Sequence, residues 1–286
     1  LMMKKPYRNI LHILFIAVLY AQDVTPPTIT GVALAGNNST IAVTFIEAVY
    51  NTNGGSGSLE ASDFSLSITG GTATVSSATP TSISISGNVY TLGIGLTGTP
   101  DGSEVLAVVP VDDGIYDAAG NEASTTQSNN TATLNDQLAP TITGVALAGN
   151  NSTIAVTFSE AVYNTNGGSG VLEASDFSLS ITGGTATVSS ATPTSISPSG
   201  NVYTLGIGLT GTPDGSELLA VVPVDDGIYD AAGNEASTTQ SNNTATLNDQ
   251  LAPTLAQDAI AVDQSVQPNT ITLTFSEPLE TTQAGN

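Results

Sequence analysis

Pro27-Thr28-Ile29-Thr30-Gly31 returns as Pro140-Thr141-Ile142-Thr143-Gly144, an offset of 113 residues. Aligned from there, residues 27–139 and 140–252 agree at 109 of 113 positions and differ only at Ile46/Ser159, Ser58/Val171, Ile85/Pro198 and Val105/Leu218. A third copy opens at Pro253-Thr254, diverges, and rejoins the pattern at Ile271-Thr272-Leu273-Thr274-Phe275-Ser276-Glu277. Solenoid repeats have periods of about 20–50 residues, so this one is too long for a solenoid. It suits an independently folding module close to the roughly 100 residues of an immunoglobulin-like sandwich. The chain therefore reads as a module over 22–139, a second over 140–252, and the start of a third over 253–286.

Short alternating runs fill each module. In the first copy they predict strands at Thr28–Ala35, Thr40–Ile46, Phe64–Thr69, Thr72–Ala78, Thr81–Ser86, Val89–Leu96, Val105–Val111 and near Thr131–Asn135. Ile41, Val43 and Phe45 should face inward, as should Phe64, Leu66 and Ile68, with Tyr90 in or beside the core. Gly36–Ser39 and Gly87-Asn88 read as turns, Leu59–Asp63 as a helical turn, and Gly70-Gly71 as the tip of a tight hairpin. Seven or eight strands without a long helix predict an all-β fold of tandem two-sheet sandwiches.

Lys4, Lys5 and Arg8 precede an apolar run from Ile10 to Ala21. The run is too short to cross a hydrocarbon core of about 30 Å as a helix. A basic start, a short apolar stretch and a small residue at its end form the pattern of a secretory signal peptide. Cleavage is expected after Ala21, leaving Gln22 first, although Leu19 at the −3 position departs from the small residue preferred there. An uncleaved anchor is the alternative. Leu1 ahead of Met2-Met3, and a third module that breaks off at Asn286, mark the sequence as a fragment of a longer exported protein.

All three basic residues and the single histidine, His12, fall in that segment, and the chain has no Cys or Trp. From Gln22 onward it carries 25 carboxylates and no basic side chain. Its carboxylates must be stabilised by water, hydrogen bonds or bound cations, and their mutual repulsion weakens as salt rises. Nucleic acid is excluded as a partner, because phosphate binding needs Lys or Arg. Membrane insertion of the chain beyond the signal segment is not expected. Disulfides and thiolate chemistry are excluded with cysteine, and a serine triad with histidine. No enzyme is predicted.

The modules resemble the bacterial Ig-like repeats of surface-layer proteins and large adhesins. The resemblance rests on Thr157-Phe158-Ser159-Glu160-Ala161-Val162, on Ala174-Ser175-Asp176-Phe177 and on Asp230-Ala231-Ala232-Gly233-Asn234. The first copy departs from it with Ile46 in place of the serine. The resemblance implies a non-enzymatic secreted or cell-surface protein whose domains act as stalk or adhesion modules. Its partner would be an extracellular polymer or protein, or another copy of itself. The alternative is a spacer or carbohydrate-binding accessory region of a larger secreted hydrolase, though a chain without Trp offers a poor aromatic platform.

One acidic cluster recurs. Asp112, Asp113 and Asp117, with Asn121 and Glu122 behind them, return as Asp225, Asp226, Asp230, Asn234 and Glu235. Asp23, Asp136 and Asp249 each stand four residues before the proline that opens a module. An immunoglobulin-like topology would bring the loop after the second strand and the penultimate loop to the end where the chain comes in. Asp136 and Asn135 would then meet Glu160, Asp225, Asp226 and Asp230, with Asp112, Asp113 and Asp117 in the equivalent loop of the first module. Hard oxygen ligands at this density suit Ca2+. The expected result is a cation-stiffened junction, with a logic similar to that of cadherin linkers. The plainer alternative is a solvated acidic loop in which Asp-Ala-Ala-Gly-Asn makes a turn.

Overall fold

Alternation of apolar side chains with Ser and Thr yields strands throughout. The computed structural model describes residues 22–276 except 264, 266, 267 and 269, so the expected signal segment lies outside the described residues. Among those residues there is no α-helix, only two single turns of 3-10 helix, Ala61–Asp63 and Ala174–Asp176, and every strand pairing is antiparallel. None of the described helices is long and apolar enough to cross a membrane. The chain separates into two compact units, Leu1–Asn135 and Asp136–Asn286.

In the first unit the strands are β1 (Ile29–Leu34), β2 (Thr40–Phe45), β3 (Phe64–Thr69), β4 (Thr74–Val75), β5 (Ile83–Ser86), β6 (Val89–Gly93), β7 (Leu96–Thr97), β8 (Val105–Pro110) and β9 (Thr131–Thr133). They form a four-stranded sheet ordered β1-β2-β6-β5, a three-stranded sheet ordered β3-β8-β9, and a small ladder of β4 with β7. Ile41, Val43 and Phe45 of β2 meet Phe64 and Leu66 of β3 and Leu106 and Val108 of β8 in one buried cluster. Burying an aliphatic side chain of this size stabilises by about 1.5–3 kcal/mol. Tyr90 is buried too, its ring edge-on to Phe45 at 5.7 Å, and its hydroxyl donates to the Val49 carbonyl at 3.3 Å.

Two expectations fail in one place. Gly70-Gly71 does not close a hairpin: β3 pairs with β8 rather than with the segment after the glycines, and the strand expected over 72–78 shrinks to β4. Both glycines take positive φ, 79° and 59°. A Cβ on Gly71 would collide with the Glu104 carboxyl, which comes in from far along the chain. Glu104 takes the N–H groups of Thr72 and Ala73 that a regular ladder would have used.

The second unit repeats this order in β10 (Ile142–Leu147), β11 (Thr153–Phe158), β12 (Phe177–Thr182), β13 (Thr187–Val188), β14 (Ile196–Ser199), β15 (Val202–Gly206), β16 (Leu209–Thr210), β17 (Leu218–Pro223) and β18 (Thr244–Thr246). Its sheets are β10-β11-β15-β14, β12-β17-β18 and β13-β16. Two further strands, β19 (Leu255–Asp263) and β20 (Thr270–Phe275), form a two-stranded sheet. Ile271 of β20 occupies the position of Ile41 in the repeat, yet it is 67% exposed where Ile41 is fully buried.

Candidate metal centre

Three segments of the first unit converge on one point. Asp23 lies in the chain ahead of β1, Glu47 just past the end of β2, and Asp117 in the loop between β8 and β9. The isolated pairing of Tyr50 with Tyr116 draws the second and third together, their N–H groups exchanging bonds of 2.7 and 2.8 Å. One carboxylate oxygen from each of Asp23, Glu47 and Asp117 then lies within 4.8 Å of the others. In the second unit the same is true of Asp136, Glu160 and Asp230. With a Ca–O distance of about 2.4 Å, two ligands on opposite sides of the ion stand about 4.8 Å apart. The grouping therefore has the width of one coordination sphere.

Asp117 is fully buried and is held by its own loop. The N–H groups of Ala119 and Asn121 donate to its Oδ1 at 2.8 Å, and Asn121 Nδ2 donates to its Oδ2 at 2.7 Å. Gly120, at φ 89°, supplies the left-handed step that the Asp-Ala-Ala-Gly-Asn turn requires. The turn and the cluster are thus one construction, since the turn presents the carboxylate. Asn121 Nδ2 also reaches the Asp23 carbonyl at 3.1 Å, and Asp230 is held in a similar way by Gly233 and Asn234.

The electrostatics of the group are one-sided. Burial, and then the negative charges of Asp117 and Asp23, push the Glu47 carboxyl above its ordinary value. Burial also pushes Asp117 up, but donors from Asn121, Ala119 and Gly120 outweigh it and hold that carboxyl low. No side chain of the chain beyond His12 can supply a compensating positive charge. The donor set is all hard oxygen, which fits Ca2+ or Mg2+ rather than a thiophilic metal.

Of the five residues expected to meet in the second module, the structure gathers Asp136, Glu160 and Asp230 and leaves Asp225 and Asp226 out. Those two sit on an exposed turn. Asp226 takes a left-handed φ of 56°, its N–H donates to Glu235 at 2.6 Å, and its Oδ1 accepts from the Tyr229 hydroxyl at 3.1 Å. Asp112 and Asp113 of the first unit are placed in the same way, with Asp113 at φ 58°. Adjacency in sequence suggested one cluster, whereas the reversal at Asp113 and Asp226 turns the side chains elsewhere. Glu47 was not named from sequence. It is the counterpart of Glu160, disguised by Ile46 in place of Ser159. The backbone position survives that change, because Ile46 N–H donates to the Thr28 carbonyl as Ser159 N–H does to Thr141.

A second kind of acidic site was also missed. Glu104 and Glu217 are fully buried. Glu104 Oε1 accepts from Thr72 and Ala73 N–H at 2.8 and 2.9 Å, and Oε2 from Asp101 N–H at 3.1 Å. Glu217 is bonded by Thr185, Ala186, Asp214 and Gly215. Burial pushes the Glu217 carboxyl up, but these backbone donors outweigh it and hold it at about 2. The signal in the sequence is one glycine of each pair, Gly71 and Gly184, where a Cβ would meet the carboxyl.

No family model matches the chain, and no curated protein matches it. Among solved structures, the N-terminal part of the bacterial S-layer protein SbsC is similar, at 15% identity and a TM-score of 0.29. The match covers 87% of this chain and 44% of that one. A score that low does not separate shared topology from shared strand content.

Proposed function

We propose that the chain is a non-enzymatic, exported array of immunoglobulin-like sandwich modules, a cell-surface stalk or adhesion scaffold whose modules take up Ca2+ where the chain comes into each. The observation that carries this reading is the recurring triad, three carboxylates gathered among described residues that include no basic side chain. The strand order supports the sandwich: β1-β2-β6-β5 against β3-β8-β9 follows the A-B-E-D and C-F-G sheets of that fold. Two near-identical modules in tandem suit a role in which reach and spacing matter more than a unique pocket.

Stiffening is the expected mechanical effect. Asn135, the last residue of the first unit, is clasped by Asn38: its N–H and Nδ2 donate to Asn38 Oδ1 at 2.9 and 3.0 Å, and Asn38 Nδ2 donates to its carbonyl at 2.8 Å. The next residue, Asp136, belongs to the triad of the second unit. A cation held there would leave a single peptide link between one residue fixed at its side chain and backbone and another fixed at its carboxylate.

The test is a Ca2+ titration of the chain from Gln22 onward, following thermal unfolding and solution X-ray scattering together. Saturation at a hundredfold excess over Kd is expected to stabilise each occupied unit by about 2.7 kcal/mol. The scattering profile should lengthen and stiffen at the same time. Asp230→Asn should remove the response of the second unit and leave that of the first. An unfolding curve and a scattering profile that both ignore Ca2+ would sink the cation reading and leave a string of modules with solvated acidic loops.

A further inference from the structure

Four positions distinguish two otherwise identical units, and all four lie at the surface. Only one of them changes what the backbone can do. Ile85 of β5 is replaced in β14 by Pro198, on the outer strand of the four-stranded sheet in each unit.

The direction of the Ile85 main chain follows from the adjoining turn. Gly87-Asn88, with Gly87 at φ 60°, joins β5 to β6 as a two-residue hairpin, so Ser86 and Val89 are the hydrogen-bonded pair that closes it. Alternation makes Ser84 and Thr91 the next bonded pair and leaves Ile85 opposite Tyr90 unbonded. The phase continues at Gly93, whose N–H donates to the Ser82 carbonyl at 2.9 Å. The N–H and carbonyl groups of Ile83 and Ile85 therefore point away from the sheet. β14 keeps the same register with proline at the equivalent position, which a strand tolerates where the N–H serves no ladder.

β5 is short, four residues, and two residues ahead of it, Thr81 and Ser82, share Gly93 as a partner. From Ile83 to Ser86, however, it has no charge, no proline and no bulge in its pairing, and Ile85 is 47% exposed. From Phe64 to Pro100 no residue is charged, so β3 to β7 present no carboxylate to a like-charged neighbour. The edge sequence Ser82-Ile83-Ser84-Ile85-Ser86 also reads the same in both directions. Antiparallel pairing with itself about Ser84 sets Ile83 opposite Ile85 of the partner subunit. The groups that then face each other are the four outward N–H and four outward carbonyl groups left unused in the two edges.

We infer that β5 of the first unit is a docking edge for β5 of a second copy of this chain, closed by a two-fold axis, and that Pro198 withholds the same contact from the second unit. Such a contact is isologous and stops at a dimer. It is independent of the cation reading, so the test is run in chelator.

Sedimentation equilibrium of the chain from Gln22 onward should show reversible dimers that strengthen as added salt screens the net negative charge. Ile85→Pro removes two of the four inter-copy hydrogen bonds and should weaken association by about thirtyfold. It installs the residue the second unit already carries in the same register, and unchanged thermal unfolding will show that the unit still folds. Pro198→Ile opens a second edge and should produce species larger than dimers. A chain that stays monomeric at every concentration and salt overturns the proposal. So does an Ile85→Pro variant that associates as strongly as its parent, which would place the contact elsewhere, for instance on the exposed face of β19 and β20.

Discussion

Asp117 and Glu104 are both fully buried carboxylates in one unit of a strongly acidic chain, and they are accommodated in different ways. Glu104 stands alone among backbone donors, with the N–H groups of Thr72, Ala73 and Asp101 turned toward its carboxyl. Asp117 also receives donors, but it shares its site with Asp23 and Glu47, and charge accumulates faster than the loop can answer it. In a chain without Lys or Arg beyond residue 8, a carboxylate buried singly can be balanced by the main chain. Three gathered together have no basic side chain beyond His12 to balance them.

The sharpest way to break this contrast is Glu104→Ala. It orphans the N–H groups of Thr72, Ala73 and Asp101 and is expected to destabilise the first unit by about 3 kcal/mol. The urea midpoint should fall equally with and without Ca2+. A loss that calcium restored would show that the two regions are one system.

Acid separates them by sign. Glu217 is held at about 2 in the folded state against an ordinary 4.5, so its stabilising effect is complete above about 4.5 and is lost as pH falls toward 2. Glu47 is displaced the other way: its folded carboxyl holds the proton more tightly, so its effect on stability declines as pH rises through its folded value. Unfolding midpoints measured across the acid range should therefore fall at low pH, and Glu217→Gln should flatten that fall.

A smaller effect is expected from Glu47→Gln. Without Ca2+ it relieves repulsion and should raise stability by at most about 0.5 kcal/mol, because the group is part-exposed and screened. With Ca2+ the same variant should lose the cation's increment in the first unit. A variant equally stable in both conditions, but still responsive to Ca2+, would remove Glu47 from the site. The smallest change is predicted for Asp226→Asn, which keeps a residue that tolerates the left-handed φ and an acceptor for Tyr229, within about 0.5 kcal/mol and with the calcium response intact. A lost response would return the exposed turn to the centre.

Much of this architecture is legible in the sequence. The period-2 runs through Ile41, Val43 and Phe45 and through Phe64 and Leu66 gave the inward faces, because burial on one side of a strand leaves its mark on every second residue. The sequence groups Asp136, Glu160, Asp225, Asp226 and Asp230, because topology and repeat spacing are long-range rules that a sequence can carry, and the structure brings Asp136, Glu160 and Asp230 of these within 4.8 Å. Side-chain direction is local, and it was misjudged wherever the backbone turned left-handed, as at Asp113 and Asp226. Gly70-Gly71 misleads for the converse reason: a glycine pair resembles a hairpin tip, but here Gly71 makes room for Glu104, whose role no nearby residue announces, and Gly70 for the Ser103 carbonyl.

The clasp at Asn38 has a consequence for an array under tension. Asn38 sits in the turn between β1 and β2, at φ 57° and 1% exposed, and it grips the chain just past β9. Pull on the far end of the unit reaches this residue before it reaches any sheet. Its hydrogen bonds to Asn135, with the one from Asn135 Nδ2 to the Ala35 carbonyl, are loaded in parallel and must give way together before β9 can be peeled from β8. Asn151 and Asn248 repeat the fastening in the second unit. Each module thus carries a mechanical fuse at its trailing end, and a force-extension curve of an Asn38→Ala chain would show the first unit yielding before the second.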